Sequence, residues 1–112
     1  MSAHSWIMLP SAARTVSGQS DGTSMAADMR EANFLLDITA VGGTTPSMTL
    51  SIETSADGAS WFTHTAFAAQ TATGKNVLKL TNLGSYVRAN YAISGTTPSF
   101  TFSLTMDGKA GV

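Results

Sequence analysis

Apolar and polar residues alternate with a period of two through most of the chain after Asn33. Phe34, Leu36, Ile38 and Ala40 alternate with Leu35, Asp37, Thr39 and Val41, and Met48, Leu50 and Ile52 alternate with Thr49, Ser51 and Glu53. This spacing puts successive side chains on opposite faces of a strand and predicts β-structure with one buried face. Further strands are expected over Trp61 to Thr65, over Asn76 to Leu80, where Val77 and Leu78 make both faces apolar, and over Tyr86 to Ile93. In the last of these Val87, Ala89, Tyr91 and Ile93 share one face, opposite Arg88 and Asn90. A final strand turns Phe100, Phe102, Leu104 and Met106 inward and ends at Asp107-Gly108.

One segment occurs twice. Gly43-Thr44-Thr45-Pro46-Ser47-Met48-Thr49-Leu50-Ser51-Ile52 returns as Gly95-Thr96-Thr97-Pro98-Ser99-Phe100-Thr101-Phe102-Ser103-Leu104. Each copy reads as a turn leading into a strand: Gly supplies flexibility, Pro fixes its own φ, and the Thr before it is expected to be extended. The repeat creates a conflict. If the copies had identical geometry, Leu35, Asp37 and Thr39 would occupy the places of Val87, Ala89 and Tyr91, and Asp37 would be buried. A bulge or a one-residue register difference is therefore expected, because a slip of one residue exchanges the two faces.

About seven or eight strands separated by turn signals predict a single antiparallel β-sandwich, jelly-roll or immunoglobulin-like. Before them, residues 1 to 30 are rich in Ser, Ala, Gly and Met, with Trp6, Ile7, Met8 and Leu9 as an apolar cluster ahead of Pro10. Residues 1–10 are expected to form an extended N-terminal arm, and 11–112 the domain. Within the arm region, Ala12 to Val16 and Thr23 to Met25 flank a candidate hairpin loop, and Ala26 to Ala32 has the length of one helical turn, too short to persist without tertiary support.

Composition narrows the functional classes. A chain of 112 residues suits one domain. Charged residues are only 12%, the net charge is -1, and no Lys/Arg cluster exists, which argues against nucleic acid and anionic membranes as partners. Without cysteine there are no disulfides and no thiolate-bound metals. No apolar run approaches a membrane span, and the N-terminus does not read as a signal peptide, so use without signal-peptide export is expected. A weakly charged β-domain exposes strand edges that invite pairing, and burial against partners would relieve this.

Candidate chemistry is sparse. His4 and His64 have no ligand spacing around them, and His64 lacks a serine and acid with which to form a triad. Glu53 and Asp57 flank a turn and offer two carboxylates toward a calcium site, although turn shaping by Asp57 and a solvated face for Glu53 explain them more simply. Trp6, Trp61, Tyr86 and Tyr91 are candidates for stacking on sugars, against the simpler role of core packing for Trp61 and Tyr91. Arg88 is expected to pair across strands with Asp37 or Glu53. No catalytic residue, cofactor or metal is expected.

The order Leu36-Asp37-Ile38-Thr39-Ala40-Val41, Gly43-Thr44-Thr45-Pro46-Ser47, Ser55-Ala56-Asp57-Gly58 with Trp61, then Tyr86-Val87-Arg88 and Ser94 through Ser103, resembles small structural proteins of tailed bacteriophages, of head-decoration or neck type. The resemblance spans roughly residues 9 to 108. It implies a β-sandwich virion protein with no catalytic residues to carry over, and with Trp61, Tyr86 and Arg88 as framework. The implied function is a capsid decoration or cement protein that binds and stabilises the assembled head, with a neck or tail ring or tube, or a carbohydrate-binding attachment module, as alternatives. The implied partners are the major capsid protein or other virion proteins and further copies of the chain, with a trimer favoured. The location would be the virion head surface, after synthesis in the host cytoplasm. Trp6, Ile7, Met8 and Leu9 are the expected contact residues, as an exposed apolar cluster suited to an interfacial hot spot.

Overall fold

The computed structural model describes residues 3–20, 23–24, 29–81 and 83–110, with backbone alone at 3–6, 23–24, 29–30 and 109–110. The alternating pattern forms the strands it predicts, and the fold is all-β and antiparallel. The strands are β1 (Ala3–Arg14), β2 (Gly18–Gln19), β3 (Thr23–Ser24), β4 (Met29–Ser55), β5 (Phe62–Ala66), β6 (Gly74–Leu80) and β7 (Tyr86–Ala110). All belong to one sheet of order β1-β7-β4-β5, with β2 and β3 also on β7 and β6 also on β4.

Two strands of 27 and 25 residues dominate. They pair with each other from Met29↔Ala110 to Ser55↔Tyr86. At one end of this ladder β6 lies outside β4 and β1 outside β7. At the other end β5 lies outside β4, and β2 and β3 outside β7. Phe34, Leu36, Ile38, Phe102 and Leu104 from the first end join Met48, Leu50, Ile52, Val87 and Ala89 from the second in one core. The sheet folds back on itself to achieve this. Tyr91 and Phe102 lie on the same strand, where a straight run of eleven residues would span about 36 Å, yet their rings meet edge to face at 5.4 Å between centroids. Arg14 holds the fold there: Nη1 donates to the Phe102 carbonyl at 2.8 Å and Nη2 to that of Pro10 at 2.7 Å, with the guanidinium 4.4 Å from the Phe102 ring centroid.

The repeated segments are where the long strands bend. They are irregular stretches within continuous strands, a correction to their reading as turns between separate strands. They also face each other, with Gly42 opposite Ser99, Thr44 opposite Thr96 and Ser47 opposite Ser94. The Thr before each Pro is not extended as expected: Thr45 and Thr97 both have φ 46. A β-branched residue in that region is strained, and each hydroxyl donates to the preceding carbonyl at 2.8 Å. Gly43 and Gly95 have φ 100 and 123, and each abuts the Thr-Pro step of the opposite copy.

This arrangement gives the chain an internal two-fold relation. Ala40↔Thr101, Val41↔Phe100 and Gly42↔Ser99 map under the repeat interval onto Ala92↔Thr49, Ile93↔Met48 and Ser94↔Ser47, and those pairs form. The symmetry breaks between Ile38 and Ala40, where β4 carries one extra residue. That is the bulge expected from the Asp37 conflict. It keeps Phe34, Leu36 and Ile38 buried and leaves Asp37 on the outer face, 3.9 Å from Lys75.

Several other expectations need correcting. The expected arm is, from Ala3, the first part of β1, paired with β7 as far as Arg14↔Phe100. The proposed hairpin does not form in its described part, since β1, β2 and β3 each pair with β7. Of the possible helical turn, residues 26–28 lie outside the described residues, and Met29 to Ala32 belong to β4. The last strand runs through Asp107-Gly108 to Ala110.

Candidate functional site

The N-terminal contact segment is divided by the pleat of β1. Leu9 is 6% exposed within the core, Met8 packs against that core, and Ile7 is 64% exposed. A register shift between Ile7 and Leu9 sends the two to opposite faces. The Trp6 side chain lies outside the described residues, while its backbone pairs with Met106.

Ile7 continues a row. It pairs with Thr105, Thr105 with Leu35, and Leu35 with Val77, so that four neighbouring strands place these residues on one outer face. Val77 is 64% exposed and Leu35 39%. Asp37, Lys75 and Ser103 join Leu35, Val77 and Thr105 around a shallow groove. Periodicity marked Val77 as apolar on an outward face, but the row itself depends on register between strands distant in sequence.

The other end of the sheet carries a polar cluster. Glu53 and Arg88 are directly opposed on β4 and β7, with Arg88 Nε donating to Glu53 Oε1 at 2.5 Å. Asn90 Nδ2 donates to Glu53 Oε2 at 3.4 Å, and the Arg88 guanidinium sits 4.5 Å from the Trp61 ring centroid. Arg88 thus selects Glu53 from its two expected partners. Glu53 is 9% exposed, which corrects its expected place on a solvated face. Arg88→Ala would leave a nearly buried carboxylate without its cation and is expected to cost about 2–3 kcal/mol in chemical denaturation, whereas a solvated pair would cost under about 1 kcal/mol.

Asp57 is committed to its turn. Its Oδ1 accepts from the backbone N–H groups of Ala59 and Ser60 at 2.9 Å each and from the Ser55 hydroxyl at 3.0 Å. The Ser60 N–H, then the Ala59 N–H and the Ser55 hydroxyl, hold its carboxyl down from the ordinary 3.8 to about 2. Because the folded-state value is depressed, the stabilisation is complete above pH 3.8 and disappears as pH falls toward 2. Thermal melts of Asp57→Asn are expected to lose less between pH 4 and pH 2 than those of the parent; equal losses would contradict this role.

These contacts commit Asp57 Oδ1 to the turn, as Arg88 and Asn90 commit the two Glu53 oxygens to the strand pair. His64 is likewise engaged locally, with Nε2 donating to the Thr81 carbonyl at 2.8 Å and Nδ1 2.9 Å from Thr65 Oγ1. Among the described residues no group of three or more His, Cys, Asp or Glu is placed to hold a metal ion. The aromatic candidates are spread out: one Trp61 face is covered by Arg88, and Tyr91 packs on Phe102.

The sequence matches no protein-family model, and no curated protein matches it. In fold the chain is similar to the crystal structure of the PBSX exported protein XepA, with a TM-score of 0.71 at 20% identity. The likeness covers 97% of this chain and 38% of that protein, so the chain spans well under half of its neighbour's length.

Proposed function

We propose that the chain is a non-enzymatic structural component of a bacteriophage particle, in the first instance a capsid decoration protein that binds the assembled head. The observation that carries this reading is the likeness in fold of almost the whole chain to the PBSX exported protein XepA, beside the resemblance of its motifs to virion proteins. The site supports the reading physically. Glu53, Arg88 and Asp57 are spent on framework contacts, while Ile7, Leu35 and Val77 lie in a row on one outer sheet face, with Val16 and Phe62 exposed outside that row, apolar surface of the kind through which proteins associate. Binding to the assembled shell and not to its free subunits would shift the equilibrium toward the shell. Ile7 is the outward residue of the segment Trp6 to Leu9, and Leu9 acts in the core.

The test is co-sedimentation with empty heads and, separately, with dissociated capsid subunits. Saturable binding to heads alone is the expected result. Binding to isolated tails or necks instead would move the protein to the alternative position, and retention on glycans that is lost on replacing Trp6 or Tyr86 with the fold intact would support the attachment-module alternative. Deleting residues 1–10 is unsuitable here because it removes Leu9 from the core.

A further inference from the structure

We propose that the outer face of β6, β4, β7 and β1 is a two-fold interface between two copies of this chain, with the strands of the copies aligned. The face, and not an edge, is the open route to association. β1 is interrupted by two register shifts and carries Pro10, β6 carries Lys75 and Lys79, and β5, β2 and β3 are five, two and two residues long. Short, irregular, proline-bearing or lysine-bearing edges resist strand addition. Meanwhile Ile7, Leu35 and Val77 expose apolar surface across the middle of the face.

Charge placement selects a second copy and its orientation. Lys75 and Lys79 lie on either side of Val77 along β6, and Asp37 and Asn33 lie on either side of Leu35 along β4. A two-fold axis running across the strands would set Lys75 of one copy against Lys79 of the other. An axis parallel to the strands, between β4 and β7, avoids this. It lays Val77 over Ile7, Leu35 over Thr105 and Asn33 over Asp107, each in both directions, so that Val77 meets Ile7, Leu35 meets the methyl-bearing Thr105, and the Asn33 amide meets a carboxylate. Like charges directly opposed are penalised.

The size fits a reversible dimer. Four strands at about 4.8 Å spacing over the seven residues of β6, at about 3.3 Å each, give roughly 450 Å² per copy and about 900 Å² for the pair, the small end of the scale where weak, reversible contacts lie. The proposal does not rest on the virion reading, and its test uses the purified protein alone.

The absence of native cysteine permits a test specific to this geometry. Light scattering across a concentration series should show a monomer–dimer equilibrium, and Leu35→Lys with Val77→Lys should raise the dissociation constant about tenfold or more. Under mild oxidation, an equimolar mixture of Val77→Cys and Ile7→Cys chains should yield the mixed disulfide dimer well above the yield of either alone. Both positions are exposed, and circular dichroism checks that the variants keep the fold. A monomer at every concentration, a trimer, or Val77→Cys linking to itself as well as to Ile7→Cys would overturn the proposal.

Discussion

Cut between Gly58 and Ala59, the protein is expected to give two fragments that are unfolded separately and regain β-structure when mixed. The reason is the cross-pairing of the two halves. β1, β2 and β3 of the first half pair only with β7 of the second, and β5 and β6 of the second pair only with β4 of the first, among the described residues. An isolated fragment would therefore have one long strand and short ones without their hydrogen-bonding neighbours, and its apolar face would lie open. Such a fragment cannot offset the entropy of ordering its chain. Mixing the two in equal amounts should restore the circular dichroism of the intact chain, with a melting temperature that rises with concentration because folding has become bimolecular. A dispersed amide spectrum from either fragment alone would show that the halves are autonomous and that the interweaving carries no energetic weight.

Gly43→Ala and Gly95→Ala are expected to destabilise the intact protein by about 3–5 kcal/mol each, enough to unfold a domain of ordinary stability. Two costs add. L-residues pay about 1–2 kcal/mol for the left-handed region, and the Cβ would also meet backbone: at Gly43 it lies 2.5 Å from the Thr97 carbonyl oxygen, and at Gly95 2.8 Å from that of Thr45. A carbonyl held in a strand bend cannot swing aside as a side chain would. Gly42→Ala is the internal control, since its nearest contact would be Ser99 Cβ at 3.9 Å and its φ is not positive. Urea midpoints should leave Gly42→Ala near the parent and move both other variants far below it, by similar amounts as the two-fold relation requires. A large difference between Gly43→Ala and Gly95→Ala would break that equivalence.

The core was legible because a period of two survives in both long strands: the buried set Phe34, Leu36, Ile38, Met48, Leu50, Ile52, Phe100, Phe102, Leu104 and Met106 is the alternating set. The bulge was legible too, since burying Asp37 costs more than inserting Thr39 into the ladder. What local pattern could not express was pairing. Gly-Thr-Thr-Pro-Ser looks like a turn by its residue types, and only the presence of its second copy on the facing strand lets the backbone continue through it as a bend. Glu53 likewise alternates as an outward residue, and it is the cover provided by Arg88 and Trp61 that removes it from solvent. Of the segment Trp6 to Leu9, composition indicated the apolar character, and pairing with β7 decides that Leu9 goes inward and Ile7 outward. The row joining Ile7 to Val77 assembles four strands from both halves of the chain, so no window of sequence contains it.

The virion reading is tested most directly by quantitative mass spectrometry of gradient-purified phage particles and of the cleared lysate from which they came. The protein should travel with the particles, in many copies and in a fixed ratio to the major shell protein that repeated gradients do not change. Recovery in the cleared lysate, with only variable traces on particles, would contradict that reading.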